Sequence, residues 1–293
     1  MLTKLAYFCF NKFLLMRNII KCLLLSFLTT PFLAQEPEIG LFVGNTYYLG
    51  DLKPYSHFSQ QDFVFGGVYR NNLPNERVVF RMNFLYGRVK GDDFESGIEW
   101  QVNRNLSFRS TIIEIGPVIE VNFFPYKLGQ SETNKPKFGT PYFFAGVTYM
   151  RMNPKAKYDG EWIELQPLTI EGQGTSQNNK KPYSLSQISI PFGIGAKLNL
   201  SNRVAISLEY GMRKTFTDFL DDVSGLYPNQ ALLVQETGTD LSAELSDRSV
   251  NPDGINNSNY GLQRGNPNNN DWYAFSGFIV TFSLVNKTSC PTW

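Results

Sequence analysis

His57 is the chain's single histidine, and Asp51 and Asp62 lie near it in the sequence. A Ser-His-Asp hydrolase needs such a set, with the imidazole taking a serine proton. No serine is marked for that role, because no G-x-S-x-G elbow occurs. This set therefore points away from an enzyme, and no cofactor is expected. Asp218, Asp221 and Asp222, in TDFLDDVSG, form a second set. Three carboxylates with loop carbonyls could hold a calcium ion. Their spacing is not that of an EF-hand, and a solvated acidic loop end is the plainer expectation. Zinc is not expected, since His57 and Cys290 are the only soft ligands outside the leader.

A third set is Arg81, Glu114, Glu120, Lys197, Glu209 and Arg213. Each interrupts a run of alternating apolar residues, so all project from the polar face of a strand. A proton or ion path is one use for such charges. The other is mutual pairing that fills a narrow barrel, since eight strands leave just enough room for side chains. The second use is expected, and with it no pore.

The elements that carry these charges are long strands. In Gln187–Phe216, Ile188, Ile190, Phe192, Ile194, Ala196, Leu198 and Leu200 take every second position. Val204, Ile206, Leu208, Tyr210 and Met212 repeat the pattern after Asn199-Leu200-Ser201-Asn202. Strict alternation around turn residues marks a hairpin. Its strands are roughly twice as long as a soluble domain's, and long enough to cross a bilayer at a tilt. One face is apolar and the other carries Gly, Ser, Glu, Lys and Arg, the pattern of an outer-membrane barrel. Further strands are expected over 38–49, 63–70, 77–89, 108–123, 142–152 and 272–284. The prediction is an all-β, eight-stranded antiparallel transmembrane barrel.

Composition agrees. Charged residues are 18% and aromatic residues 15% of the chain, below and above soluble usage respectively. The net charge of +1 gives no field that would attract nucleic acid. No stretch beyond the N-terminus is apolar enough for a membrane helix, so only a closed barrel could span. Residues 1–34 read as a signal peptide, with Met16 as a candidate start, Arg17 and Lys21 before the apolar core, and Ala34 at the cut. Residues 35–293 then form one barrel domain.

Connections after the first, third, fifth and seventh strands run roughly 13, 18, 34 and 55 residues, while the others are shorter; that alternation places long loops outside and both termini in the periplasm. Aromatic residues gather at the expected interfaces. Phe123, Phe124, Tyr126, Tyr142 and Phe143 mark the periplasmic rim, and Tyr86, Tyr149, Trp272 and Tyr273 the outer one. The largest periplasmic connection, Pro125–Pro141, carries Lys127, Lys135 and Lys137.

Several stretches resemble one family. They include EIGLFVGNTYYLGDL, NPKAKYDGEW with a following LQPL, EGQGT, RKTFTDFLDDVS and RGNPNNNDWYAF. These are similar to the PorG-like outer-membrane barrels of Bacteroidota, components of the type IX secretion apparatus. The resemblance implies an eight-stranded barrel without catalytic residues. It also implies partners: a periplasmic ring made of a lipoprotein and its partner protein, alongside outer-membrane lipid. Lys127, Lys135 and Lys137 are then the candidate partner contacts. A surface adhesion barrel, acting through its external loops, is the alternative.

Overall fold

The computed structural model describes residues 37–54, 57–128, 138–254 and 257–284. The expected leader, Cys290, Lys135 and Lys137 lie outside these residues. Ten strands form one antiparallel sheet: β1 (Pro37–Leu49), β2 (Asp62–Asn72), β3 (Val78–Asp92), β4 (Ser107–Asn122), β5 (Gly139–Gly146), β6 (Thr148–Tyr158), β7 (Glu161–Glu164), β8 (Ser186–Asn199), β9 (Val204–Thr215) and β10 (Trp272–Ser283). The order β3-β2-β1-β10-β9-β8-β5-β4 closes on itself because β3 also pairs with β4. That closure removes the open edges a spanning sheet could not tolerate.

The ring passes through eight strands because β5 and β6 together make one wall position. Val118 faces Gly146 and Ile115 faces Tyr149, so the register with β4 runs unbroken through Val147. On the other side Ala145 faces Phe192 and Thr148 faces Ser189. This counting sets Val147 against Pro117 and Gly146 against Pro191. Val147 N–H donates to the Pro117 carbonyl at 3.2 Å, but neither proline has an N–H to return. Two missing ladder bonds thus interrupt a strand expected to be continuous over 142–152. That strand also runs further than expected, to Tyr158. It then turns through Asp159 and Gly160, with φ of 46° and 86°. Two successive positive φ values at Asp-Gly suit a tight hairpin turn, and β7 returns along β6.

The remaining ordered structure sits at the end of the barrel opposite the termini. α1 (Glu99–Arg104) joins β3 to β4, and α2 (Gln230–Thr237) and α3 (Asp240–Ser246) lie between β9 and β10. The Asn229 side chain caps α2 by accepting from Leu232 N–H at 3.2 Å. Gly238, at φ 73°, ends it in the left-handed conformation.

Alternation along the strands divides outside from inside. Leu41, Phe84, Ile115, Phe143, Ile194, Leu208 and Phe278 are each 44–62% exposed, and they come from all sides of the ring. A soluble barrel would hide so continuous an apolar band; hydrocarbon is its natural solvent. Ile194→Arg is therefore expected to cost roughly 2–4 kcal/mol of barrel stability, while Ile194→Val stays near wild type. Equal loss of the heat-modifiable folded band on gels for both would contradict this facing.

The inside has two halves. Toward the cap it is apolar, with Phe42, Tyr48, Val64, Phe108, Ile112, Met150, Met152, Phe275 and Ile279 packed together. Toward the termini it is mainly ionic, and one smaller ionic group, Arg213 with Glu114, sits among the apolar residues beside Tyr273 and Phe275. The glycines of β8 and β9 make room between the two halves. A Cβ on Gly195 would sit 2.3 Å from the Tyr142 ring, and one on Gly211 would sit 2.5 Å from Phe144. Bulky rings on β5 are thus accommodated by bare backbone on the neighbouring wall strands β8 and β9.

Candidate functional site

All six charges expected to face the lumen are buried there, and the structure brings them together in two groups. Glu120, on β4, is the hub of the larger one. Its Oε1 accepts from Arg70 Nε at 3.0 Å and from Arg81 Nη1 at 2.7 Å, and its Oε2 accepts from Lys197 Nζ. Arg81 reaches on to Glu209 with both of its terminal nitrogens, the Nη2–Oε1 distance being 3.2 Å. Tyr142 Oη donates to Glu209 at 2.8 Å. The smaller group is nearer the cap. There Arg213 Nε and Tyr273 Oη both donate to Glu114 Oε2, at 3.2 and 2.8 Å.

Arg70 and Glu38 belong to this network and were not singled out from the sequence. Arg70 ends the expected second strand, where its facing was open. Glu38 accepts from Asn72 Nδ2 at 2.6 Å. With them, four cations (Arg70, Arg81, Lys197, Arg213) are matched by four carboxylates (Glu38, Glu114, Glu120, Glu209), all buried. Arg81 and Arg213 also lie over the faces of Phe144 and Phe275, at 4.9 and 4.3 Å. A charge-balanced network wedged between aromatic rings can fill a narrow barrel. It offers no excess charge to draw ions through.

Three aromatic residues expected at the interfaces are instead inside. Tyr142 and Tyr273 are fully buried and hydrogen-bond the lumen carboxylates. Tyr126 folds over the terminal end of the barrel, 1% exposed, with its hydroxyl on Asn199 Oδ1. A tyrosine carries a polar tip, so an inward position with a carboxylate partner competes with an interfacial one. Phe123, Phe124, Phe143 and Tyr149 do face outward and are exposed.

His57 does not assemble with a carboxylate. The first loop folds back onto the barrel's outer wall, and His57 Nδ1 lies 2.9 Å from Tyr47 Oη. Phe58 covers the same Tyr47 ring at 5.1 Å, leaving Tyr47 buried although it lies on the outward face of β1. Asp62 is held by Arg88, and Asp51 Oδ2 accepts from Asn266 N–H at 2.8 Å. The sequence-adjacent pairing of His57 with Asp51 or Asp62 is thus absent.

Asp218, Asp221 and Asp222 are not a solvated loop end; they are buried beneath the cap. Asp221 accepts from Tyr48 Oη and from Val223 N–H. Asp271 shares Tyr48 and caps Leu220 N–H at 2.8 Å. Among the described residues no group of three or more acid, histidine or cysteine side chains is arranged to hold a metal ion. Burial instead pushes the Asp218 carboxyl up to about 8, aided by Asp51 and Glu171, and pushes Asp222 up to about 7 despite the opposing pull of Arg264. Above the aspartates, Glu171 of the EGQGT stretch accepts from Ser224 N–H and Gly225 N–H at 2.8 and 3.0 Å and pairs with Arg264 at 2.7 Å. Arg104 of α1 is held by Asp93 and donates to the Arg264 carbonyl at 2.7 Å. Three long loops are locked together in this way.

The raised carboxyls make the cap sensitive to pH. An acid whose folded pKa lies above its unfolded value binds more protons when folded, so stability falls as pH rises between the two values. The cap is therefore expected to loosen from about pH 4 up to about pH 8, the Asp218 value. Protection factors over 217–226, taken relative to the base-catalysed intrinsic exchange rate at each pH, should fall toward the alkaline end, and Asp218→Asn should flatten that fall. Protection factors that do not change with pH in the wild type would refute it.

At the terminal end, Lys127 is the described member of the candidate lysine trio, and its carbonyl accepts from Asn199 Nδ2 at 3.4 Å. Leu128 beside it is buried, so this connection begins by tucking into the barrel rather than leaving it.

Three solved outer-membrane proteins are similar to the chain at low identity. Neisserial surface protein A is 10% identical at a TM-score of 0.39, with 85% of this chain and 97% of that one covered. Ail of Yersinia pestis, in complex with the heparin analogue sucrose octasulfate, is 8% identical at 0.38, covering 85% and 97%. The N-terminal β-barrel domain of Pseudomonas aeruginosa OprF is 12% identical at 0.33, covering 85% and 98%. Among curated proteins no relative matches. A family profile matches residues 16–241, most of the chain, and the protein belongs to that family, described as a domain of unknown function, DUF6089.

Proposed function

We propose that this protein is a non-enzymatic outer-membrane barrel of a type IX secretion machine, with both termini in the periplasm. On this reading it works by contact, binding a periplasmic ring of a lipoprotein and its partner protein. The carrying observation is the filled interior. Four buried cations matched by four carboxylates, under an apolar plug and a locked cap, leave no conduit for the barrel to serve. Its working surfaces are then its two rims. The long external loops resemble the NPKAKYDGEW and LDDVS stretches of PorG-like barrels, but they lie on the wrong side for a periplasmic ring. The connection 125–141 is the contact this reading favours.

A second reading, surface adhesion, has its own support. The cap is a folded, loop-locked structure that leaves Trp100 57% and Tyr260 60% exposed. Crosslinked co-purification from membranes separates the two, since only the secretion reading expects periplasmic ring proteins on the barrel. Orientation is tested on intact cells with a membrane-impermeant thiol reagent in a Cys290→Ser background. Lys181→Cys should label and Ser131→Cys should not; the reverse would invert the barrel.

A further inference from the structure

Cations on the outer wall of the barrel are not spread evenly. They gather on β3, β4 and β6, just above the apolar band and toward the cap. The registers set Tyr86, Ile113 and Arg151 in one row, Arg88, Thr111 and Asn153 in the next, and Lys90, Arg109 and Lys155 in the third. All belong to the outward-facing parity of their strands. The row beneath holds Phe84, Ile115 and Tyr149, each exposed and none charged. Rows are separated by about 7 Å and strands by about 5 Å, so the five cations share a patch smaller than one lipid headgroup and its neighbours. The neighbouring strand β8 places Ser186 beside Arg151 and Ile188 beside Tyr149, without charge.

Carboxylates compensate only part of this charge. Asp62 holds Arg88 at 2.8 and 2.9 Å, and Glu164 holds Lys155 at 2.9 Å. Asp92 and Glu161 flank the patch at its cap edge. Among the described residues no carboxylate is paired with Lys90, Arg109 or Arg151. Arg109 instead sets its guanidinium carbon over the Trp162 ring, 3.9 Å from the centroid, a cation–π contact that uses the ring face and no carboxylate. A planar donor fork supported on an indole suits a phosphate oxygen pair. The height of the patch, where hydrocarbon ends, is where a bilayer presents its phosphates.

We propose that this patch is a binding site for a phosphate-bearing lipid of the leaflet on the cap side. Lys90, Arg109 and Arg151 hold the phosphate, while Phe84, Ile115 and Tyr149 pack against the chains below. The inference rests on the membrane reading above but not on the secretion reading.

The test uses the full chain in nanodiscs of digalactosyldiacylglycerol, a matrix lipid without phosphate, with an equal fraction of bis-phosphorylated lipid A or its dephosphorylated form. Lipid retained on detergent release is read by native mass spectrometry. Wild type should retain the phosphorylated form in preference, and excess inorganic phosphate should not displace it. The K90Q/R109Q/R151Q/K155Q variant should lose at least about tenfold of that preference. K90Q/R151Q breaks no described ion pair, so it should fold if the larger variant does not, and it should lose at least about threefold. Equal retention of both lipids by wild type would overturn the site, as would full preference in the folded double variant. Displacement by inorganic phosphate would also overturn it, showing a free-anion site. Failure of wild type to enter nanodiscs would overturn the membrane reading with it.

Discussion

Glu120→Ala is expected to destabilise the barrel by about 3–5 kcal/mol, because it leaves buried cations without their partner. Glu120 is the single carboxylate that touches Arg70, Arg81 and Lys197 together. Glu209 still holds Arg81 after the change, but Arg70 and Lys197 would keep no carboxylate at ion-pair distance among the described residues. Their desolvation cost remains while the compensating attraction is gone. Glu120→Gln should fall between wild type and alanine, since the amide keeps an acceptor oxygen but not the charge. Urea unfolding in lipid vesicles, followed by the heat-modifiable band and tryptophan emission, gives the comparison. A loss under about 1 kcal/mol for alanine would mean that water reaches these groups. The lumen would then be wet, and the argument against a conduit would weaken.

Deletion of the whole protein is the larger cellular effect. The secretion reading expects export of many proteins to fail at once, with no dependence on His57, whose described polar partner is Tyr47 rather than an acid. The finer test replaces 129–139 with an Asn-Gly turn. Shortening a long connection changes closure entropy little, and the strands it joins, β4 and β5, are already fixed by their register. The barrel should therefore fold, while ring association and export both weaken several-fold. Trimming 250–270 from the cap should spare ring binding. If the first change leaves export and ring pull-down intact while cap trimming abolishes surface attachment, adhesion replaces secretion as the function.

The alternation Ile188 to Leu200, with its partner run from Val204 to Met212, was enough to determine strands, their facing and the lipid band. Period two is a property of the chain itself, and one register places every side chain. It also put Arg81, Glu114, Glu120, Lys197, Glu209 and Arg213 on the inner face. The Asp159-Gly160 turn was equally legible as a hairpin signal, though the expected strand stopped short of it. Tertiary structure decided the rest. Which inward charge meets which depends on strand stagger around a closed ring, so Glu120 on β4 finds Arg70 on β2 and Lys197 on β8. Tyr126, Tyr142 and Tyr273 could serve an interface or a buried polar partner equally well, and only the closed barrel's geometry chose, giving Tyr126 an amide and the other two carboxylates. The glycines of β8 read only as part of its polar face; that they make room for Tyr142 and Phe144 is decided by the register with β5. The TDFLDDVSG aspartates read as solvated because acids usually are; the cap that buries them is built from residues between 51 and 271, brought together only when the barrel closes.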